Sequence, residues 1–235
     1  MYPLRNGPTE IYPVRIGYSN VVLLKQGASA VLVDTGLKDH QKTIAGFLRQ
    51  RKVDPQQVKL IVLTHTHHDH TGNLQALSEL TGAKVLVHKN EFENLKTGFT
   101  PIPKGMGFYT RFISGLGSIV LPRFASPKAF EAQIINENEY DLNPFGIEAK
   151  IISTPGHTNG SQSVLVGDKL IAGDTFLNLS NGIIFPHFCN DPATLLKTWE
   201  MLFNSGIKTV VPGHGKPFAI EKAFPEFEKW KKKIR

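Results

Sequence analysis

At 235 residues, with 40% hydrophobic residues and a formal net charge of +7, the chain is long enough to bury one large core. The first eight residues lack the apolar run of a signal peptide, and no stretch approaches the roughly 18 consecutive apolar residues of a membrane span. The single cysteine, Cys189, excludes an internal disulfide. We therefore expect one domain over residues 1–235, located in the cytoplasm.

Three short segments rich in Val, Ile and Leu open the chain, at 11–16, 20–24 and 30–33, and they predict a meander of strands. The third segment ends at Asp34. This residue either forms a turn into a helix over about 38–50 or accepts a hydrogen bond from the free N–H of a metal-ligating histidine. The two roles are compatible, and both stay open.

A histidine-rich stretch follows a buried strand predicted over 60–63, and four of the nine histidines fall within its six positions. His65 and His67 are two residues apart, so from an extended segment they point the same way and can hold one metal ion. Asp69 and His70 lie where a helix begins, so they can turn towards a second ion. Imidazole and carboxylate groups suit zinc, iron or manganese. Two ions need more ligands than this stretch supplies, which predicts further His or Asp residues at other strand ends.

A leucine-spaced helix and a strand over 84–87 come next, and strand-helix-strand alternation predicts an α/β layered domain. The regular pattern then fails over 97–128, which is rich in Gly, Pro and aromatic residues. One interpretation is a lid or wall over the metal site, partly helical at 112–121, that offers Tyr109 and Arg111 to a substrate. The alternative is a helix packed on the core or on a second subunit, which leaves a homodimer open.

Three more predicted strands each lead to a potential ligand. The strand over 147–152 precedes His157, a hairpin strand precedes Asp174, and the strand over 209–211 precedes His214. The last stretch predicts a basic amphipathic helix. Such a helix is typically a solvated face, so we expect no nucleic-acid partner.

These motifs occur in a fixed order: H-x-H-x-D-H at 65–70, T-P-G-H-T at 154–158, G-D-T at 173–175 and P-G-H-G at 212–215. In this order they resemble the metallo-β-lactamase-fold hydrolase superfamily, in particular its glyoxalase II and lactonase-like branch. The resemblance implies an α/β (α+β) fold, a four-layer αβ/βα sandwich with two sheets face to face and helices outside.

The resemblance also implies two divalent metal ions, zinc in the first place, with iron or manganese as alternatives. A hydroxide between the ions would attack the substrate, and Asp69 would both ligate and orient it. The ligands that the resemblance implies are His65, His67 and His157 on the first ion, Asp69, His70 and His214 on the second, and Asp174 between them.

Departures from the family patterns bear on the substrate. Asp174 stands where true β-lactamases of this superfamily have no aspartate, which disfavours antibiotic hydrolysis. Glyoxalase II members carry a helical domain after the last histidine ligand, where 215–235 remain here. Lactonases carry a catalytic tyrosine where this chain has Leu177.

We expect a small-molecule ester, lactone or thioester as substrate, because the predicted pocket wall is aromatic and apolar. Tyr109, Arg111 and His187 are the candidate substrate contacts, and His187 is alternatively a packed side chain. Two other functions stay open. One is a phosphodiesterase or nuclease of the same fold, and the other is a metal-binding regulator without turnover.

Overall fold

The computed structural model describes residues 3–101, 105–106 and 128–234. Within these ranges the chain forms two β-sheets with helices packed against them. None of the described helices combines the length and the apolar character that crossing a membrane requires. The lid or wall predicted over 97–128, with its partial helix at 112–121, lies mostly outside the described residues.

The first sheet takes its strands from the N-terminal half of the chain and from one later segment. Its described strands are β1 (Leu4–Asn6), β2 (Thr9–Ile16), β3 (Ser19–Gln26), β4 (Ser29–Val33), β5 (Val58–Val62), β6 (Lys84–His88) and β7 (Ile134–Asn136). They are hydrogen-bonded in that order, antiparallel from β1 to β4 and parallel from β4 to β7. The predicted meander therefore corresponds to β2, β3 and β4.

The second sheet is built from the C-terminal half of the chain. Its described strands are β8 (Glu139–Asp141), β9 (Lys150–Ser153), β10 (Gln162–Val166), β11 (Lys169–Asn178), β12 (Thr209–Gly215) and β13 (Phe218–Ala219). They lie in the order β13-β12-β11-β10-β9-β8, with β11 and β12 parallel and the other neighbours antiparallel. The predicted hairpin is formed by β10 and β11.

Six described α-helices accompany the sheets. They are α1 (Gln41–Gln50), α2 (His68–Thr71), α3 (Leu74–Thr81), α4 (Lys89–Thr97), α5 (Pro192–Phe203) and α6 (Phe224–Ile234). Short 3₁₀ helices lie at Pro55–Gln57, Asn143–Phe145 and Ile220–Ala223.

Three apolar layers hold these elements together. On β3, Val22 and Leu24 belong to the cluster that joins the two sheets, whereas Val21 and Leu23 belong to the cluster shared with α1 and α3. A third cluster packs the second sheet against α5 and α6 around Trp199. Because successive side chains of a strand point to opposite faces, one strand serves two layers. The order helix, sheet, sheet, helix confirms the predicted four-layer αβ/βα sandwich.

Several element boundaries differ from the prediction for local reasons. The first helix begins at Gln41 rather than near 38, because Asp39 has a φ of +68°, which a right-handed helix cannot include. The last helix begins at Phe224 rather than at 219, because Ala219 pairs with Thr209 in the second sheet. The strand expected over 147–152 begins only at Lys150.

Candidate metal centre

The segment after β5 presents its histidines as the spacing predicts. His67 is extended, with φ −62° and ψ 149°, and it directly precedes the short helix α2. The extended backbone lets His65 and His67 face the same side, and α2 then turns Asp69 and His70 towards a neighbouring point. His65, Asp69 and His70 are all buried.

The second sheet supplies its candidate ligands at an irregular pairing. β11 and β12 run parallel, and their register shifts between Ile171 and Gly173 and again between Gly173 and Leu177. Asp174 lies in the second of these irregular stretches, and His214 lies near the end of β12. Such irregularities re-aim side chains away from a regular ladder. They bring Asp174 and His214 towards the histidines of the first sheet.

One group of donor atoms is formed by His65, His67, His157 and Asp174. The Nδ1 atom of His67 lies 2.9 Å from Nε2 of His65 and 3.1 Å from Nε2 of His157. The Oδ2 atom of Asp174 lies 3.7 Å from Nε2 of His157. Four donors from both sheets therefore converge on one point.

The second group is formed by Asp69, His70 and His214. The Oδ2 atom of Asp69 lies 3.6 Å from Nε2 of His70 and 3.3 Å from Nε2 of His214. Asp174 also borders this group, with its two oxygens 3.3 Å from Nε2 of His70 and 3.3 Å from Nε2 of His214. Its carboxylate thus lies between the two groups.

Four of the histidines are anchored through Nδ1, so that Nε2 faces the site. An acceptor at Nδ1 holds a ring proton on that atom, which makes Nε2 the nitrogen that can bind a metal ion. The four pairs are His65 with Thr64 Oγ1 (3.0 Å), His70 with Asp34 Oδ2 (2.8 Å), His157 with the Phe188 carbonyl (2.9 Å) and His214 with the Tyr18 carbonyl (2.8 Å).

Asp34 makes the contact with a histidine that one of its two suggested roles requires. Its backbone has a φ of +61° at the end of β4, and its carboxylate is buried. Oδ1 accepts the Thr64 N–H at 2.8 Å, and Oδ2 accepts both the Thr64 hydroxyl and the His70 Nδ1–H, each at 2.8 Å. One side chain therefore ties the ends of two strands to a histidine of the second group.

Burial keeps the histidines of the first group uncharged. It lowers the pKa of His67 to about 3, and it holds the pKa values of His65 and His157 below their ordinary value. These imidazoles are therefore neutral at physiological pH, and a neutral imidazole is the form that ligates metal.

The second group has the opposite electrostatics. Burial alone would lower the pKa of His214, but the carboxylates of Asp174 and Asp69 raise it to about 10. The same two carboxylates, together with Asp34, overcome burial and hold the pKa of His70 well above its ordinary value. Burial would raise the pKa values of Asp69 and Asp174, but the neighbouring imidazoles hold both below their ordinary value. The ionised carboxylates create a negative potential that favours a cation.

The residues present fit metal ions. Among the described residues, His70 Nε2 and Asp174 Oδ1 face the donor groups and are buried without a hydrogen-bond partner, and an unpaired buried polar atom costs roughly 1–3 kcal/mol. A single hydrogen on His67 Nδ1 also cannot satisfy the two nitrogen lone pairs that face it. Tetrahedral coordination with metal–nitrogen bonds of about 2.0–2.1 Å separates ligand atoms by about 3.3 Å. The contacts given above run from 2.9 to 3.7 Å, and all donor atoms within each group lie within 4.8 Å of one another.

Comparison with known families agrees with this site and fold. A family model described as "Metallo-beta-lactamase superfamily" matches residues 14–214. The chain belongs to the metallo-β-lactamase superfamily. Members of this superfamily that resemble it support a metal-dependent hydrolase.

Two curated superfamily relatives have names that state a hydrolytic activity. A probable metallo-hydrolase of Methanocaldococcus jannaschii is 29% identical over 159 residues, 68% of this chain and 68% of the relative. A hydroxyacylglutathione hydrolase of Shewanella pealeana is 29% identical over 125 residues, 53% of this chain but only 35% of the relative.

A solved structure shares the superfamily fold. The crystal structure of a metallo-beta-lactamase family protein from Thermus thermophilus matches with a TM-score of 0.71 and 22% sequence identity. The match covers 97% of this chain and 80% of the other. It supports the architecture described above.

The remaining sequence candidates are Tyr109, Arg111 and His187, and His187 joins neither donor group. Tyr109 and Arg111 lie outside the described residues. The His187 ring packs against Trp230 of α6 at a centroid distance of 6.1 Å, and its carbonyl accepts the Met106 N–H. Its role as a substrate contact stays a prediction.

Two side chains that hold the loops of candidate ligands in place were not predicted from the sequence. Glu91 of α4 is buried and accepts hydrogen bonds from the backbone N–H and the hydroxyl of Thr66, the residue between two candidate ligands. Asn20 donates to the carbonyls of Pro212 and Gly215, both at 2.8 Å, on either side of His214. Neither lies near a motif in the sequence, and the partners become visible only in three dimensions.

Proposed function

We propose that the protein hydrolyses a small-molecule ester, lactone or thioester with two divalent metal ions, zinc in the first place. One observation carries the proposal: two adjacent donor groups border the same Asp174 carboxylate, which is what a dinuclear site requires. The proposed ligands are His65, His67 and His157 for one ion, Asp69, His70 and His214 for the other, and Asp174 for both.

Two bound divalent ions would lower the pKa of a water molecule between them and polarise the bond to be cut. The protein's own residues would then arrange the reaction. Asp69 is ionised at neutral pH and its carboxylate lies within 3.6 Å of two imidazoles, so we assign it to orient the attacking water and accept its hydrogen bond. Asp34 and Thr64 would hold ligand histidines in the tautomer that binds metal.

The ester or thioester class is supported by two observations. A relative is named hydroxyacylglutathione hydrolase, which places hydrolysis of an acyl compound within the superfamily branch that this chain resembles. An exposed aromatic side chain also lies next to a residue that contacts the segment of candidate ligands. Phe99 is 48% exposed and precedes Thr100, whose hydroxyl donates to the Thr66 carbonyl at 2.7 Å. Such surface suits an uncharged acyl group.

The test is a panel of probes under metal-loaded conditions: phenyl acetate, δ-valerolactone, S-phenyl thioacetate and bis-p-nitrophenyl phosphate. We expect turnover of at least one carboxylic ester, lactone or thioester that exceeds the rate on the phosphodiester. Preferential cleavage of the phosphodiester would instead establish the phosphodiesterase alternative. Stoichiometric metal binding with no turnover of any probe would favour a metal-binding regulator.

Substitution of His157 provides a sharper version of this test. His157→Ala removes a donor of the first group and is expected to reduce hydrolysis at least about 100-fold, because the activated water depends on the ion it helps to hold. The matched control is His40→Ala, since His40 belongs to neither donor group and its side chain makes no capping hydrogen bond. Retained activity in His157→Ala would place the chemistry elsewhere.

A further inference from the structure

A tyrosine on the turn between β2 and β3 lies against one side of the candidate metal centre. Gly17, with a φ of +70°, allows the tight turn that presents Tyr18. The Tyr18 ring stacks on His214 with a centroid distance of 5.8 Å and an interplanar angle of 15°. The Tyr18 carbonyl anchors Nδ1 of the same histidine. Backbone and ring therefore fix this residue against the second donor group.

The Tyr18 hydroxyl makes a long-range contact of its own. It lies 2.8 Å from Nε2 of His68, a residue 50 positions later that stands between the candidate ligands His67 and Asp69. His68 is the variable position of the H-x-H-x-D-H motif, and its side chain belongs to neither donor group. Tyr18 is nevertheless 44% exposed. The hydroxyl thus stands at the border between the metal centre and solvent.

The hydroxyl is suited to donate a hydrogen bond. The phenol is neutral at physiological pH, because the ordinary pKa of a tyrosine side chain is about 10. A neutral phenol is a donor as well as an acceptor. Because the contact with His68 is exposed, an entering ligand can take the place of the imidazole without burying an unpaired group.

We propose that Tyr18 and His68 form a substrate-binding pair at the His214 side of the site, in which the Tyr18 hydroxyl donates a hydrogen bond to an oxygen atom of the substrate. His68 holds the hydroxyl in position before the substrate arrives. The inference rests on the proposed hydrolase function, since it assigns a specificity contact to that same site. The ligand class is an ester, a lactone or the carboxylate that hydrolysis releases.

Tyr18→Phe separates this role from a structural one. The variant keeps the aromatic ring on His214 and the backbone carbonyl that anchors Nδ1, and it removes only the hydroxyl. We expect KM for the best probe ester to rise about five-fold, the effect of one lost neutral hydrogen bond, with kcat within about two-fold of the parent. Metal content should be unchanged. The matched control is Tyr140→Phe, on the distant strand β8, which should leave all three quantities unchanged.

A second variant tests the pairing. His68→Ala leaves the hydroxyl without its partner, so KM should rise less than in Tyr18→Phe, and the double variant should be no worse than Tyr18→Phe alone. Additive effects would show that the two side chains act independently and would overturn the pair. An unchanged KM in Tyr18→Phe, or a fall in kcat and metal content together, would overturn the substrate contact.

A binding measurement distinguishes failure of this inference from failure of the proposed function. Calorimetric titration of metal-loaded protein with benzoate reports the carboxylate contact without turnover. We expect the Kd of Tyr18→Phe to be about five-fold weaker than that of the parent and of Tyr140→Phe. Equal Kd values in the parent and Tyr18→Phe contradict the inference even where the parent is active. A parent that neither binds benzoate nor hydrolyses any probe contradicts both proposals.

Discussion

Gly213 precedes the last candidate ligand, and its lack of a side chain makes room for another. A Cβ atom at this position would lie 2.0 Å from Oδ1 of Asp174, far inside van der Waals contact. The carboxylate that borders both donor groups therefore fits only because Gly213, on the neighbouring strand β12, has a hydrogen atom in place of a side chain. The same Cβ atom would lie 2.8 Å from the carbonyl carbon of Gly173, so the close approach involves the backbone of β11 as well as the carboxylate.

Gly213→Ala should therefore disturb both the Asp174 carboxylate and the strand that carries it. The added methyl group displaces the Asp174 carboxylate, and we expect metal affinity to fall at least roughly ten-fold, measured by competition with a chelator. The matched control is Gly46→Ala inside α1, where the nearest atom to a new Cβ lies 3.9 Å away. This control should stabilise the protein by about 0.5–1 kcal/mol and leave metal affinity unchanged. Unaltered affinity in Gly213→Ala would contradict the bridging position of Asp174.

Asp34 offers a second test at the residue scale. Asp34→Asn keeps the shape of the side chain but removes the charge that faces His70 Nδ1, and we expect metal binding to weaken roughly 10- to 100-fold. Asp39→Asn is the matched control, because Asp39 also has a positive φ, +68°, but is exposed. If both variants bound metal like the parent, the contact between Asp34 and His70 would have no part in holding the ion.

Among the elements, α5 shows how a capping motif that is visible in the sequence stabilises a helix. Asp191 caps its N-terminus and accepts hydrogen bonds from the N–H groups of Ala193 and Thr194, both at 3.0 Å, while Pro192 occupies the first turn. The bonds from Thr194 lower the pKa of Asp191 below its ordinary value. The helix in turn packs Trp199 onto Phe176 of β11, at a ring distance of 4.3 Å. A cap on the surface thus supports the strand that carries Asp174.

Asp191→Ala should lower the free energy of unfolding by about 1 kcal/mol at neutral pH, measured by urea denaturation. Because the folded-state pKa is lowered, the stabilisation is present above the unfolded pKa and is lost as pH falls through the folded-state value. The difference between parent and variant should therefore shrink in acid. Asp191→Asn keeps a capping side chain that does not titrate, so its free energy of unfolding should rise relative to that of the parent over the same pH range. A difference that is constant with pH would assign the effect to something other than the ionised cap.

Helices and strands were predicted correctly where neighbouring residues carry a strong pattern. They were missed or misplaced where a segment depends on contacts with residues far away in the sequence. The apolar runs of β4 and β5 and the Asp-Pro start of α5 are readable from neighbouring residues alone. The helix α4 could not be predicted in this way. Its segment, Lys89–Thr97, is mostly polar, and its buried Glu91 has its hydrogen-bond partner, Thr66, in another loop. Asp174 was predicted beyond a strand end, but it lies inside β11, which continues to Asn178 through a shifted register.

For the whole molecule, the site joins two halves of the chain. The first sheet delivers residues 65–70, and the second delivers His157, Asp174 and His214. Their positions after predicted strands indicated shared ligands from the residues alone, whereas the assignment of each ligand to one of two ions came only from resemblance to a family. That they meet depends on how the inner faces of the two sheets pack through the apolar cluster around Val22 and Ile151. Long-range packing of this kind cannot be derived from spacing.

Metal bound between the halves should stabilise the whole fold. A ligand that binds only the native state adds about 2.7 kcal/mol when its free concentration is 100 times its Kd, so chelation should lower Tm measurably. In His157→Ala the Tm should respond less to chelator, because one donor of the first group is missing. A parent Tm that is the same with and without chelator would show that the donor groups are not occupied by a stabilising ion.

The central claim is that the two donor groups hold two ions, and metal analysis of the purified protein tests it most directly. After loading with zinc under non-chelating conditions and removal of the excess, inductively coupled plasma mass spectrometry should find about two equivalents per chain. Asp174→Ala should lose a large part of both, because its carboxylate borders both groups. A parent protein that retains one equivalent or none would contradict the dinuclear account.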